Sequence, residues 1–194
     1  MKKLSIQDLC IIAIFAAIIA VMAQIIIPMP LGVPMTLQTL AIMLAGVMLG
    51  AKKALISTVL YVLLGAIGAP VFAGFAGGFG IVLGPTGGFI MSFPILALAV
   101  GIGTEKSTKK AGTAASALWL WGGIVTGVLL NYLCGVIYFS IYTSNDLISS
   151  FVACVLFFIP TDILKIAIAG LLGVKVRRLL MERGAVKSDE RNCK

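Results

Sequence analysis

The sequence predicts an all-α integral membrane protein with six transmembrane helices, and three observations carry that prediction. Of the 194 residues, 60% are hydrophobic and only 11% charged, with a mean hydropathy of +1.14, whereas about a quarter of a soluble domain is charged. The apolar runs have lengths near the roughly 20 residues that a helix needs to cross a hydrocarbon core, and the alternation of a membrane barrel is absent. The basic residues fall in every second loop.

Taken in order, the apolar runs cover about 9 to 27, 36 to 50, 54 to 68, 89 to 103, 112 to 139 and 148 to 174. The second to fourth are short for a full crossing, which implies tilt, local thinning of the bilayer or extension into the loops. Lys2 and Lys3 precede the first run, Lys52 and Lys53 follow the second, and Lys106, Lys109 and Lys110 follow the fourth. After the sixth come Lys175, Arg177, Arg178, Arg183, Lys187, Arg191 and Lys194, and the alternate loops hold no Lys or Arg. By the positive-inside rule both termini are cytoplasmic in a multi-pass membrane protein. The expected organisation is one membrane domain over 1–194 with a basic tail from about 175 to 194. The net charge of +8 is thereby accounted for by topology and does not point to nucleic acid. The first run also resembles a secretory signal, but removing it would leave an odd number of spans and break the alternation of charge.

The loop before the second run, "PMPLGVPMTLQT", ends in Thr36 and Gln38, polar side chains at the mouth of a span. The loop from Gly68 to Phe89, "GAPVFAGFAGGFGIVLGPTGGF", is uncharged and too rich in glycine for a regular spanning helix. Irregular backbone at membrane depth is tolerated where protein buries it or it lines a cavity. Within it, "GPTGG" opens the fourth run. A proline in the first turn and exposed N–H groups at Gly87 and Gly88 form either an anion site or a plain tight turn.

Asp162 and Lys165 stand three residues apart in the apolar run "FFIPTDILKIAIAG". At about 100° per residue they project roughly 60° apart on one helix face. Each charge costs on the order of 2.5 to 3.5 kcal/mol at a helix centre, so lipid exposure is excluded and the pair faces protein, water or a ligand. It is either a structural clasp or one polar end of a binding site. Pro160 just upstream removes a helical hydrogen bond and favours a kink. Asn131, mid-span in the fifth run, needs a hydrogen-bond partner from a neighbouring helix or a ligand.

Ala13, Ala16, Ala17 and Ala20 make a small-residue face on the first run, suited to internal packing or to docking on a separate membrane subunit. Gly46 with Gly50, and Gly123 with Gly127, are spaced for close helix packing. Trp119 and Trp121 fall where an interfacial belt would place them. Cys10, Cys134, Cys154 and Cys193 follow no redox or metal spacing, and there is no histidine. There is no nucleotide-binding loop, no zinc spacing and no nucleophile with a base, so the chain is not expected to be an enzyme acting alone and no cofactor is implied.

Three stretches, "VPMTLQTLAIMLAGVMLG", "YVLLGAIGAPVFAGFAGGFGIVLGPTGGF" and "FFIPTDILK", resemble the BioY family, the biotin-binding S components of energy-coupling factor transporters. The resemblance implies a six-helix subunit that takes biotin from outside and works with a transmembrane coupling protein and two cytoplasmic ATPases. It also implies that the Ala13, Ala16, Ala17 and Ala20 face meets the coupling protein. Set against biotin, Asp162 would accept from the ureido N–H groups. Lys165 would donate either to the ureido carbonyl or to the tail carboxylate, bonds that are charge-assisted. Phe79 and Phe89 would wall the thioether ring, and Gln38 or Thr36 would close the site. Members of the family can carry an asparagine in the glycine-rich loop and a basic residue after GPTGG, where this chain has Ala76 and Ile90. Backbone N–H groups near Gly87 and Gly88 would then receive the tail carboxylate, or it would stay hydrated. The competing readings are an S component for another vitamin, a ligand-free membrane scaffold and a self-contained ion-coupled carrier.

Overall fold

The computed structural model describes residues 5–27, 34–110, 113–156 and 158–182. Lys2, Lys3, most of the first proline-rich loop and the tail beyond 182 lie outside the described residues. The first helix, α1 (Ile6–Ala23), begins at Ser5, whose hydroxyl accepts from the Asp8 N–H while the Asp8 carboxylate accepts from the Ser5 N–H. This reciprocal cap satisfies two amides that a helix start leaves unpaired. Then β1 (Ile26–Ile27) pairs antiparallel with β2 (Met35–Thr36), Ile26 opposite Thr36. This two-residue ladder is strand that apolar periodicity gives no hint of.

α2 (Gln38–Leu49) and α3 (Ala51–Ala66) are joined by Gly50 alone. Its φ of +80 is a conformation open mainly to glycine, so Gly50 makes the turn rather than serving the packing pair expected with Gly46. Across the turn the Ala51 N–H donates to Glu105 Oε1 at 2.7 Å. After an irregular segment and the short α4 (Phe79–Val82) comes α5 (Gly87–Lys109), longer than the fourth apolar run. Within the extension the Thr104 and Thr108 hydroxyls donate to the carbonyls four residues earlier, so these polar side chains are satisfied inside the helix. Lys106 and Lys109 sit in its last turn, where cations suit the helix dipole.

α6 (Ala114–Thr143) is followed by α7 (Leu147–Phe151), a π-helical turn (Val152–Leu156) and α8 (Ile159–Glu182). The last two segments meet at a bend of 50°. Pro160 stands in the first turn of α8 and not inside a continuous helix, a position where its missing N–H costs nothing. By length and composition α1, α5 and α6 can each cross a bilayer, and the bent pair passes the same test when its two arms are taken together as one broken span. α2 and α3, at 12 and 16 residues, are the shorter pair, and each of the six apolar runs overlaps one of these helices or the bent pair, the first run ending in β1.

The core lies where α2 and α5 cross, with Ile42, Met43, Val47, Leu96 and Val100 fully buried beside Ile19 and Ile124. Glycines make the crossings close. A Cβ on Gly46 would lie 2.7 Å from Val100 Cβ, one on Gly101 2.3 Å from Ala51 Cα, and one on Gly103 2.7 Å from Gly123 Cα. Gly127 packs on Leu96 in the same way, so the Gly46, Gly123 and Gly127 expectations hold as internal packing. Trp121 lies over Gly170 and is an interhelix filler instead of a belt residue. Trp119 remains near the surface, with Lys106 Nζ 4.2 Å and Lys110 Nζ 5.7 Å from its ring centre. The alanine face of α1 is split: Ala13 and Ala17 are exposed, Ala16 is buried in the core, and Ala20 packs partly against it. A four-residue step keeps Ala13 and Ala17 on one line, whereas Ala16 is rotated toward α2 and α3.

Candidate functional site

At the end of the bundle away from Gly50 is a cavity of about 390 Å³, within the roughly 300–1,000 Å³ of small-molecule sites. Its walls come from the start of α2, the glycine-rich segment, the start of α5, the middle of α6 and the start of α8. Six of the residues singled out in the sequence border it: Thr36, Gln38, Phe89, Asn131, Asp162 and Lys165. Ala76 and Ile90 border it too.

The polar wall is built on α8. Asp162 and Lys165 are 6% and 5% exposed, and Lys165 Nζ stands 2.8 Å from Asp162 Oδ1. The same ammonium donates to the Thr36 carbonyl at 2.9 Å and to Thr39 Oγ1 at 3.3 Å. All three of its protons therefore have acceptors, which is what a buried ammonium requires. The Tyr132 hydroxyl donates to Asp162 Oδ2 in a short hydrogen bond. Asp162 Oδ1 has no hydrogen-bond donor beyond its ionic contact with Lys165 among the described residues. A buried carboxylate oxygen short of a donor can accept one from a guest.

Two further polar braces frame the chamber. Gln38 Nε2 donates to the Tyr61 oxygen in a short bond, and the Tyr61 hydroxyl donates to the Val71 carbonyl at 3.1 Å. On α6 the Asn131 amide donates to Ser92 Oγ at 2.7 Å and to the Phe89 carbonyl at 3.2 Å. Asn131 thus joins α6 to α5 as an interhelix tie, and it also borders the cavity. Phe72, Phe89, Phe93 and Phe158 supply the apolar and aromatic remainder.

Three expected site residues stand elsewhere. Phe79 is 66% exposed and outside the lining. Gly87 and Gly88 are buried packing glycines: a Cβ on Gly87 would lie 2.0 Å from the Val82 carbonyl, and one on Gly88 2.3 Å from Tyr138 Cβ. The Gly87 N–H is spent on the Gly84 carbonyl at 2.9 Å, so it closes the turn. The part of the "GPTGG" turn that borders the cavity is Gly84, Pro85 and Thr86.

Sequence reasoning missed Thr39, Tyr61, Tyr132 and Gln24. Thr39 and Tyr132 each sit beside or one turn from a residue that it found, and both carry a polar group in an apolar run. Gln24, at the end of α1, donates through Nε2 to the Phe72 carbonyl at 3.0 Å and accepts through Oε1 from the Phe75 N–H at 2.8 Å. It staples the glycine-rich wall to α1 where Phe75 has a φ of 56, an unfavourable value for a bulky residue that surrounding contacts must enforce.

Helices that seal the bundle at one end and a polar-headed chamber at the other define a class: a multi-pass helical membrane protein with room for one small molecule. The BioY family model matches residues 1–182. A probable biotin transporter BioY of Pyrococcus horikoshii is 35% identical over 88% of this chain and 96% of its own length. The biotin transporter BioY of Thermotoga maritima is 35% identical over 88% and 95%. A crystal structure of the S-component for biotin from an ECF-type ABC transporter superposes with a TM-score of 0.80, at 27% identity, covering 89% of this chain and 92% of that one. The chain belongs to the BioY family.

Proposed function

We propose that this protein is the biotin-capturing S component of an ATP-driven uptake transporter. The observation that carries the reading is the Asp162 and Lys165 pair, buried at the wall of a 390 Å³ cavity in a chain whose relatives are named as biotin transporters. A ureido ring offers two N–H donors and one carbonyl; Asp162 Oδ1, short of a donor, accepts from the former, and Lys165 reaches the latter only by giving up one of its protein acceptors. Because the Lys165 protons already have three acceptors, the ureido end is the better match for this pair than the tail carboxylate. The thioether ring lies among Phe72, Phe89, Phe93 and Phe158, and the tail runs toward Thr86. The cavity end faces outward, both termini are cytoplasmic, and the exposed Ala13 and Ala17 line meets a transmembrane coupling protein driven by two ATPases.

Isothermal titration of biotin into purified protein tests the site. A hydrogen bond to a charged group contributes about 1.5–3 kcal/mol, so Asp162→Asn should weaken binding by roughly 10- to 100-fold. Unchanged affinity in both Asp162→Asn and Lys165→Ala would refute the assignment. Tighter binding of riboflavin, thiamine or pantothenate would move the ligand to another vitamin. Ala13→Phe with Ala17→Phe should spare biotin binding and abolish co-purification of the coupling protein; an intact complex would return that line to mere lipid contact.

A further inference from the structure

A second concavity lies on the outer surface between α5 and α6, at the end of the bundle that carries Gly50 and the basic loops. It exists because the two helices meet backbone to backbone at Gly103 and Gly123, leaving no side chains to fill the valley. Ile102, Leu118 and Trp119 form its banks, and its volume is about 410 Å³, room for a length of hydrocarbon chain. A Cβ on Gly122, on the valley floor, would meet nothing within 4 Å.

Two cations converge on the mouth of this valley. Lys106 Nζ and Lys110 Nζ both approach the Trp119 ring, at 4.2 and 5.7 Å. Among the described residues neither ammonium lies in an ion pair with a carboxylate. The neighbouring Glu105 is committed to the Ala51 N–H. Two like charges held together without a counter-charge attract an anion, and their position at the membrane edge puts lipid phosphates within reach.

We propose that the α5/α6 valley is a binding site for one anionic phospholipid, its phosphate between Lys106 and Lys110 and one acyl chain laid over Gly122 and Gly123. A choline headgroup is disfavoured, because a quaternary ammonium would seek the aromatic face that Lys106 already covers and would be repelled by both lysines. The site is independent of what the cavity at the other end binds.

The test is native mass spectrometry of the protein released from phosphatidylcholine nanodiscs containing a minor fraction of phosphatidylglycerol, with retained lipid identified by mass. Wild type should keep one phosphatidylglycerol in preference to phosphatidylcholine. Lys106→Ala with Lys110→Ala should cut that retention roughly tenfold or more, and Lys52→Ala should leave it unchanged. Gly122→Phe, whose Cβ would meet nothing within 4 Å and whose ring would occupy the valley, should displace the lipid while thermal midpoint and biotin titration stay as in wild type. Thr126→Phe fills the same valley should Gly122→Phe fold poorly. Equal retention of the two lipids, retention surviving the double lysine change, or retention surviving both fillers would each overturn the proposal.

Discussion

The seam around Gly101 and the chamber around Asp162 lie at opposite ends of one bundle and answer opposite demands. At the seam, α5 touches the α2–α3 turn so closely that a Cβ on Gly101 would fall 2.3 Å from Ala51 Cα and 2.4 Å from its nitrogen. Nothing there can yield, since both surfaces are backbone. At the chamber the helices stand apart, and the space is framed by side-chain hydrogen bonds from Lys165, Tyr132, Gln38 and Asn131. Close packing serves rigidity at one end, and the polar braces hold a void open at the other. A void lined by unbraced polar groups would be costly, because each buried polar atom without a partner costs about 1–3 kcal/mol.

The sharpest way to break the comparison is at the seam itself. Gly101→Val should be the most damaging single change, above the roughly 1–3 kcal/mol of ordinary overpacking, and should abolish a cooperative thermal transition in detergent. A folded Gly101→Val protein would mean that the α2–α3 turn can move. Next is the ion pair: Asp162→Asn removes the counter-charge of a buried ammonium, a loss of about 3–5 kcal/mol when one partner of such a pair is deleted. Pairing it with Lys165→Met should recover much of the midpoint in the thermal melt without restoring biotin binding, which separates support from recognition.

Smaller effects probe the frame of the chamber. Gln24→Ala removes the donor to Phe72 and the acceptor for Phe75, about 1–3 kcal/mol of buried polar pairing. It should speed biotin dissociation in stopped-flow measurements more than it lowers the melting point, because the wall it holds lies over the cavity. Gly122→Phe, on the open valley floor, should shift the melting temperature least, within the about 0.5 kcal/mol of a surface change. The contrast between Gly101 and Gly122, one residue type on adjacent helices, is what chain-order inspection cannot see.

Legibility differed by residue for physical reasons. The charged pair was visible because a carboxylate and an ammonium in an apolar run have few affordable environments, and their i, i+3 spacing puts them on one helix face whatever the rest does. Thr36, Gln38 and Asn131 were visible on the same ground of polarity out of place. Phe79 misled because an aromatic in a glycine-rich loop can face either way, and here it faces out. Gly87 and Gly88 misled because glycine signals permissive backbone without saying whether the space is used for a ligand or, as here, for Tyr138 and the Val82 carbonyl. Ala16, buried in the core, follows the internal-packing reading of the alanine face, while Ala13 and Ala17, one helical step away, stay exposed.

By itself the sequence determined that the chain is helical and spans a membrane, and that one acid and one amine must be paired inside it. Those outcomes follow from local quantities: transfer cost per residue, run length and helical period. Only the tertiary structure decided that the pair borders a void, that Thr36, Thr39 and Tyr132 complete its hydrogen bonds, and which glycines touch backbone. These depend on how helices far apart in the chain are brought together, and the distance between α2 and α8 is written in no single stretch.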